Sequence, residues 1–304
     1  EALQQYRKRD LTSALTQIEK ALSLLQKAEY HYLNGMIFES MNKDLRAVSS
    51  YEAALKLDPQ FDEALFQKSL IYLNYGDPTQ AVKDLTKLID RGGVRTTRGV
   101  YFETDRHGQR GTSITTLATL KSKLYYYRGQ AHSEQENYES AIDDFNSAIT
   151  HDSISEYFVG RGLAYQKMKN EQLAINDYKR AILLDSTDQI AWYNLALIFP
   201  EVELPNELLV DNTFGPTLSL LASEAITDER HDSAIKYLTQ AIANEEEPLH
   251  YINRGRVYIK LEEFERARSD FQSARKIDPT RFECFYLIGN AYFYEKNFGL
   301  AVSY

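Results

Sequence analysis

The densest run of residues that could do chemistry is RGGVRTTRGVYFETDRHGQRGTS, at 91–113. It holds five arginines (Arg91, Arg95, Arg98, Arg106, Arg110) and five glycines against two acids, Glu103 and Asp105, a local charge of +3. Guanidinium groups at this density suit an anionic partner. The other candidates are sparse. His31, His107, His132, His151, His231 and His250 are scattered, and Cys284 is the only cysteine. His31 and His132 fall at packing positions, and Cys284, at the start of a helix, reads as a small buried hydrophobe. There is no P-loop, glycine-rich dinucleotide fingerprint, HExxH or paired-cysteine spacing. The acid runs LEEFER (261–266) and NEEEP (244–248) read as solvated helix ends. No catalytic residue, metal ligand or cofactor is expected, so the chain is not expected to be an enzyme.

The bulk numbers agree. At 304 residues, 43% hydrophobic and 26% charged, the chain has apolar mass for a continuous core. Its net charge of −9 opposes general nucleic-acid binding. No apolar run reaches the length of a membrane span, and no signal-peptide pattern begins the chain. A single cysteine favours a reducing, intracellular and cytoplasmic setting. The sequence starts without Met and stops in mid-pattern, and is read as a piece of something longer.

The elements that would position these residues show as a rhythm. An alanine, a bulky apolar residue four later and an alanine three after that recur as Ala47/Tyr51/Ala54, Ala141/Phe145/Ala148, Ala174/Tyr178/Ala181 and Ala267/Phe271/Ala274. Looser copies stand at Ala14/Ile18/Ala21, Ala81/Leu85/Leu88 and Ala234/Leu238/Ala241. Spacings of four and three put each triplet on one helix face. Twelve residues before the first alanine of the block stands a glycine, with an aromatic three after it: Gly35/Phe38, Gly162/Tyr165, Gly255/Tyr258, Gly289/Tyr292, and Gly129 with His132. Glycine inside a helix costs about 1 kcal/mol, so its recurrence needs a reason. The expected one is a helix crossing, with the glycine facing the small alanine of the next helix. Asp58-Pro59 and Asp278-Pro279 mark helix ends.

This Gly, aromatic, Ala, aromatic, Ala, Pro order closely resembles the tetratricopeptide repeat. First alanines fall at 14, 47, 81, 141, 174, 234, 267 and 301, with a period near 34 broken by two gaps of 60. The expected architecture is an all-α, right-handed superhelical solenoid of antiparallel helix pairs with two non-repeat insertions. Repeats are placed at 1–90, 119–199 and 217–304, the first partial and the last truncated. The insertions are the basic 91–118 and an irregular stretch or degenerate helix at 200–216. Within 188–199 a first helix is expected with Trp192 as its anchor, its partner helix short or irregular. GVYFET can pair as a short strand, with itself or with a partner.

The resemblance implies a concave groove, lined by first helices, that binds peptide or helical segments of other proteins. By register the residues three before each glycine position are Tyr32, Phe66, Tyr126, Val159, Tyr193, Ile252 and Tyr286. Those one after it are Met36, Leu70, Gln130, Leu163, Leu197, Arg256 and Asn290. Such a groove suits an apolar or aromatic-rich segment. Asn253 matches the central residue of the carboxylate clamp found in chaperone-binding members. Its neighbours Ser219, Ser223, Glu283 and Leu287 do not match, so no clamp is expected. Arg128, Arg161 and Arg254, just before the glycines, read as partners of acids on adjacent helices, with Asp144 and Asp177 as candidates, rather than as phosphate ligands.

The expected function is a non-catalytic scaffold or adaptor in a larger intracellular assembly, with ciliary or cytoskeletal complexes suggested by family association. The alternative is a targeting or regulatory arm of a protein whose catalytic domain lies outside this chain. Neither nucleic acid nor a membrane span is expected. The insertion, through Arg95, Arg98, Arg106 and Arg110, either contacts an acidic surface or folds back on its own solenoid.

Overall fold

The computed structural model describes residues 1–94, 101–104, 110–113, 117–205, 208 and 214–304. Two compact units emerge, Glu1–Asp177 and Tyr178–Tyr304. The chain runs through α1 (Ala2–Arg7), α2 (Leu11–Leu24), α3 (Ala28–Ser40), α4 (Asp44–Leu57), α5 (Asp62–Asn74) and α6 (Pro78–Asp90). Strands β1 (Tyr101–Thr104) and β2 (Arg110–Ser113) follow, then α7 (Leu117–Glu134), α8 (Tyr138–His151), α9 (Ser155–Lys167) and α10 (Glu171–Leu184). Next come α11 (Gln189–Ile198), α12 (Gly215–Thr227), α13 (His231–Asn244), α14 (Pro248–Lys260), α15 (Phe264–Ile277), α16 (Glu283–Tyr294) and α17 (Phe298–Ser303). Within each unit helices pack on their sequence neighbours, giving stacked helical hairpins. Apart from one β-hairpin the described fold is all-α, as expected. That hairpin lies in the insertion: Tyr101 pairs opposite Ser113 and Thr104 opposite Arg110, antiparallel. The GVYFET strand therefore pairs within its own insertion.

Each hairpin turn is closed by the same device, which the sequence barely announces. Five residues before the first alanine of each block stands a residue with positive φ: Arg9, Asn42, Gly76, Glu136, Lys169, Glu229, Glu262 and Lys296. Only Gly76 and Asn42 are of types that favour this left-handed conformation. The next residue donates its N–H back to the carbonyl at the end of the first helix. Examples are Lys43 to Phe38 (2.8 Å), Asn137 to His132 (2.9 Å), Asn170 to Tyr165 (2.9 Å) and Glu263 to Tyr258 (2.8 Å). This is the Schellman closure. Its acceptor carbonyl belongs to the residue three after the glycine, so the recurring aromatic also marks the turn.

The triplets form the core. Ala47, Tyr51 and Ala54, and likewise Ala267, Phe271 and Ala274, are fully buried. One expectation is corrected: the glycines face aromatic rings more than alanines. A Cβ on Gly255 would meet the Phe271 ring at 2.5 Å, and one on Gly129 would meet the Phe145 ring at 2.9 Å and the Ala141 carbonyl at 3.2 Å. Gly35 abuts Tyr51 in the same way, and Gly160 of α9 reaches Phe145 at 2.8 Å. At Gly289 the next helix's alanine comes first, with the Ala301 carbonyl 3.3 Å from the Cβ position. After Trp192, buried with its Nε1 donating to the Ser186 carbonyl at 2.9 Å, residues 200–205 form no helix. Leu204, Leu208 and Phe214 are nonetheless buried, while residues 206–207 and 209–213 of the expected irregular stretch lie outside the described residues.

Gly255→Ala should therefore destabilise by about 1–2 kcal/mol, overpacking outweighing the gain of about 1 kcal/mol in helix propensity. Gly299→Ala, where a Cβ meets nothing within 4 Å, should be neutral or stabilising. Thermal melts of both variants check this, and equal shifts would show that the ring contact does not set the requirement.

Candidate functional site

The recurring charges resolve first. Arg128 grips Asp144 with two hydrogen bonds, Nε to Oδ2 at 2.8 Å and Nη2 to Oδ1 at 2.6 Å. Arg161 does the same to Asp177 (2.8 and 2.6 Å) and Arg254 to Asp270 (2.8 Å each). The aspartate is always sixteen residues on, facing across the hairpin. Lys68 and Asp84 keep the arrangement at 3.0 Å, and Asn34 donates to Ser50 at 3.1 Å in the same two places. The hydrogen bonds they donate to the aspartates raise the pKa of all three arginines. A bidentate carboxylate occupies the guanidinium edge a phosphate would use, so these arginines are structural.

The other chemically capable groups are also taken up by packing. Cys284 is fully buried, and burial pushes its thiol pKa up, away from the reactive thiolate. His132 is half-buried, 3.8 Å from Asp144, and burial lowers its pKa. Burial likewise lowers that of His31, whose Nε2 lies 2.6 Å from Gln26 Oε1. Among the described residues no group of His, Cys, Asp and Glu is arranged to hold a metal ion, and no helix is long and apolar enough to cross a membrane.

The predicted binding-face residues divide into two kinds. Phe66 (4% exposed), Ile252 (1%), Val159 and Met36 are buried and closed to a partner. Tyr32 is half-buried, its ring 4.9 Å from that of Phe61 and 5.7 Å from that of Tyr51. Tyr126 packs on Tyr157 (4.9 Å) and Phe145 (5.9 Å), and its hydroxyl accepts from Gln130 Nε2 at 2.9 Å. Leu163 is exposed, and Leu70 and Leu197 are half-buried. In the second unit Tyr193 is half-buried, and Arg256 binds Glu283 at 2.5 Å between exposed side chains. Tyr286 (68% exposed) and Asn290 share a hollow of about 450 Å³ with Phe282, Phe285 and Phe293. Glu283, where the clamp needs a cation, is thus an acid already holding Arg256.

In the insertion, Arg91 folds back: its Nη1 donates to Asp62 at 2.8 Å and its Nη2 to the Pro59 carbonyl at 3.2 Å. Arg95, Arg98 and Arg106 lie outside the described residues, and Arg110 is described only as backbone of β2. One cluster escaped sequence reasoning. His250 Nε2 lies 2.9 Å from Ser219 Oγ, and its Nδ1 3.3 Å from the Glu245 carbonyl. Ser219 had entered only as a failed clamp position. The missed signal was a serine in a register otherwise bulky and apolar.

Two tests follow from these pairings. Asp270→Asn strips a partly buried Arg254 of its carboxylate, at a cost of about 3 kcal/mol. Hydrogen exchange in α14 and α15 should accelerate, and the pair Arg254→Met with Asp270→Leu should largely restore protection. A histidine whose folded pKa lies below its unfolded value of about 6.5 takes up its proton more readily in the unfolded chain. Its contribution is full above that value and lost as pH falls through it. Acidification from pH about 7.5 to 5.5 should thus lower the melting temperature of wild type more than that of His132→Tyr; equal losses refute the assignment.

Tetratricopeptide repeat family models match residues 28–61, 122–153 and 155–188, and a further one 220–303, together more than half of the chain. No curated protein matches it. Among solved structures, MamA 41-end from Desulfovibrio magneticus RS-1 is similar at 17% identity with a TM-score of 0.51, over 62% of this chain and 92% of that one. A tetratricopeptide repeat protein from Parabacteroides merdae is similar at 16% identity with a TM-score of 0.51, over 88% of this chain and 99% of that one. At these identities the likeness speaks for the fold. With its helical hairpins, buried triplets and matched repeats together, the chain belongs to the tetratricopeptide repeat family.

Proposed function

We propose that this chain is a non-catalytic scaffold or adaptor that holds segments of other proteins against the first-helix faces of its hairpins, within a larger intracellular assembly. The observation that carries this is the set of tyrosines kept at one register position: Tyr286 is exposed and Tyr32, Tyr126 and Tyr193 are half-buried, while Tyr51, Tyr157, Tyr178 and Tyr237 are wholly buried. Exposed aromatics held by rigid helices anchor binding at low entropic cost. Their apolar setting suits an apolar or aromatic-rich segment. The buried, unreactive Cys284 fits a reducing compartment. The insertion, through Arg95, Arg98, Arg106 and Arg110, adds an electrostatic contact with an acidic surface in this reading.

Affinity purification with mass spectrometry tests it, comparing wild type with Tyr193→Ala/Tyr286→Ala and with a deletion of 94–112. The double variant should keep its melting temperature within a few degrees and lose specific partners at least tenfold. The deletion should weaken binding and steepen no salt dependence. Unchanged partner recovery from the double variant would sink the groove reading, and unchanged recovery from the deletion would remove the insertion from it.

A further inference from the structure

The insertion leaves α6 in a defined direction. Gly92 and Gly93 both have positive φ, +87° and +114°, a conformation that favours glycine. Their N–H groups donate back to the Ile89 and Leu88 carbonyls at 2.9 Å each. The chain is thereby turned off the end of a second helix and onto the first helices. Val94, 2% exposed, packs with Leu65 and Phe66 of α5 and Leu124 of α7. Arg91 holds Asp62 at the start of α5. Residue 95 therefore begins beside the first-helix face of the unit Glu1–Asp177.

That face carries a file of acids. The position six residues before the glycine place holds Glu29 in α3, Glu63 in α5 and Glu156 in α9, with Lys123 in α7. It lies one turn from the position of Tyr32 and Tyr126, on the same side of each helix. Glu29 is exposed, and Glu63 and Glu156 are half-buried. In the unit Tyr178–Tyr304 the same position holds Ile190, Pro216 and Leu249, and Glu283, which is bonded to Arg256. The acids thus gather in the unit that the insertion enters. Leaving out Arg91, which is spent on Asp62, the insertion sets four arginines against Glu103 and Asp105. It also has the length to use them. β1 begins seven residues after Val94. Extended, those residues span about 23 Å, whereas packed helices stand about 8–10 Å apart.

We propose that residues 95–112 dock on the chain's own first-helix face, with their arginines against the file of Glu29, Glu63 and Glu156. The inference rests on the reading of the insertion as a contact with an acidic surface, and identifies that surface as this protein's own. An arm held there forms one wall of the groove in the first unit, and a bound segment meets it together with Tyr32 and Tyr126. Exposed ion pairs are individually weak. Docking therefore needs several of them together and loosens as salt screens them.

The test is limited chymotrypsin digestion of the whole 304-residue chain, with Tyr101 and Phe102 as the cleavage points in the arm and products identified by mass. Rates are taken relative to a synthetic 95–112 peptide, and melting curves confirm that each variant folds. Wild type is compared with Arg95→Glu/Arg98→Glu, with Glu29→Lys/Glu63→Lys and with all four changes together. Cleavage of the arm should quicken at least fivefold in each double variant, and the quadruple variant should return to within twofold of wild type. Raising salt from about 0.05 M to about 0.5 M should quicken it in wild type as well, which probes the contact without a substitution. Unchanged cleavage in the double variants or in salt, or a quadruple variant cleaved as fast as they are, overturns the docking. So does a double variant that keeps wild-type protection but loses captured partners, since the acidic surface then belongs to the partner. The digestion contains no partner, so its failure leaves the groove reading of Tyr193 and Tyr286 standing.

Discussion

The approach of two helices at the glycine governs the rest of each hairpin that carries one. Phe271 lies over Gly255, Tyr51 over Gly35, and Phe145 against both Gly129 and Gly160. The glycine costs about 1 kcal/mol of helix propensity. Burying the ring returns roughly 1.5–3 kcal/mol. Once the ring fixes the separation, the residue before the glycine stands within reach of the residue sixteen later. That is why a bidentate arginine–aspartate pair forms three times in that place, and why lysine with aspartate and asparagine with serine serve as substitutes. It also fixes where the first helix must stop. The backbone turns there through one left-handed residue, whatever its type.

Much of this was legible in sequence, because close packing writes itself in residue size. Ala47/Tyr51/Ala54 and Ala267/Phe271/Ala274 declare a buried face through their spacing alone. Arg128 and Arg161 declare partners because a charge repeated at a packing position needs a counter-charge. What the glycine faces was not legible. Alanine and aromatic share a face of the second helix, and only geometry shows that the ring arrives first. The turn was hidden for a different reason: Lys169, Glu229 and Glu262 adopt positive φ because their neighbours over-determine it, not because their own chemistry asks for it. The hairpin of α5 and α6 was weakly marked, since Ser69 stands for glycine and Lys68 for arginine.

The binding face shows the limits of register. Position along a first helix says which side a residue lies on, but not how far the neighbouring hairpin covers it. Phe66 and Ile252 share the register of Tyr286, yet they are buried and it is not. Side-chain chemistry explains part of the difference. Phenylalanine and isoleucine carry no polar group to satisfy, whereas Tyr126 brings its hydroxyl to Gln130. The tyrosines are therefore the members of the set that stay at least partly exposed, and Ser219, too short to fill its place, leaves a space.

Charge carries the argument one step further. Lys68, Arg91, Arg128, Arg161 and Arg254 each hold an aspartate within a hairpin or between neighbours. These pairs cancel, so the net −9 of the chain is borne by the remaining, more exposed side chains. The exposed surround of the hairpins is therefore acidic on balance. Long-range attraction from such a surround favours approach by basic segments and is screened by salt.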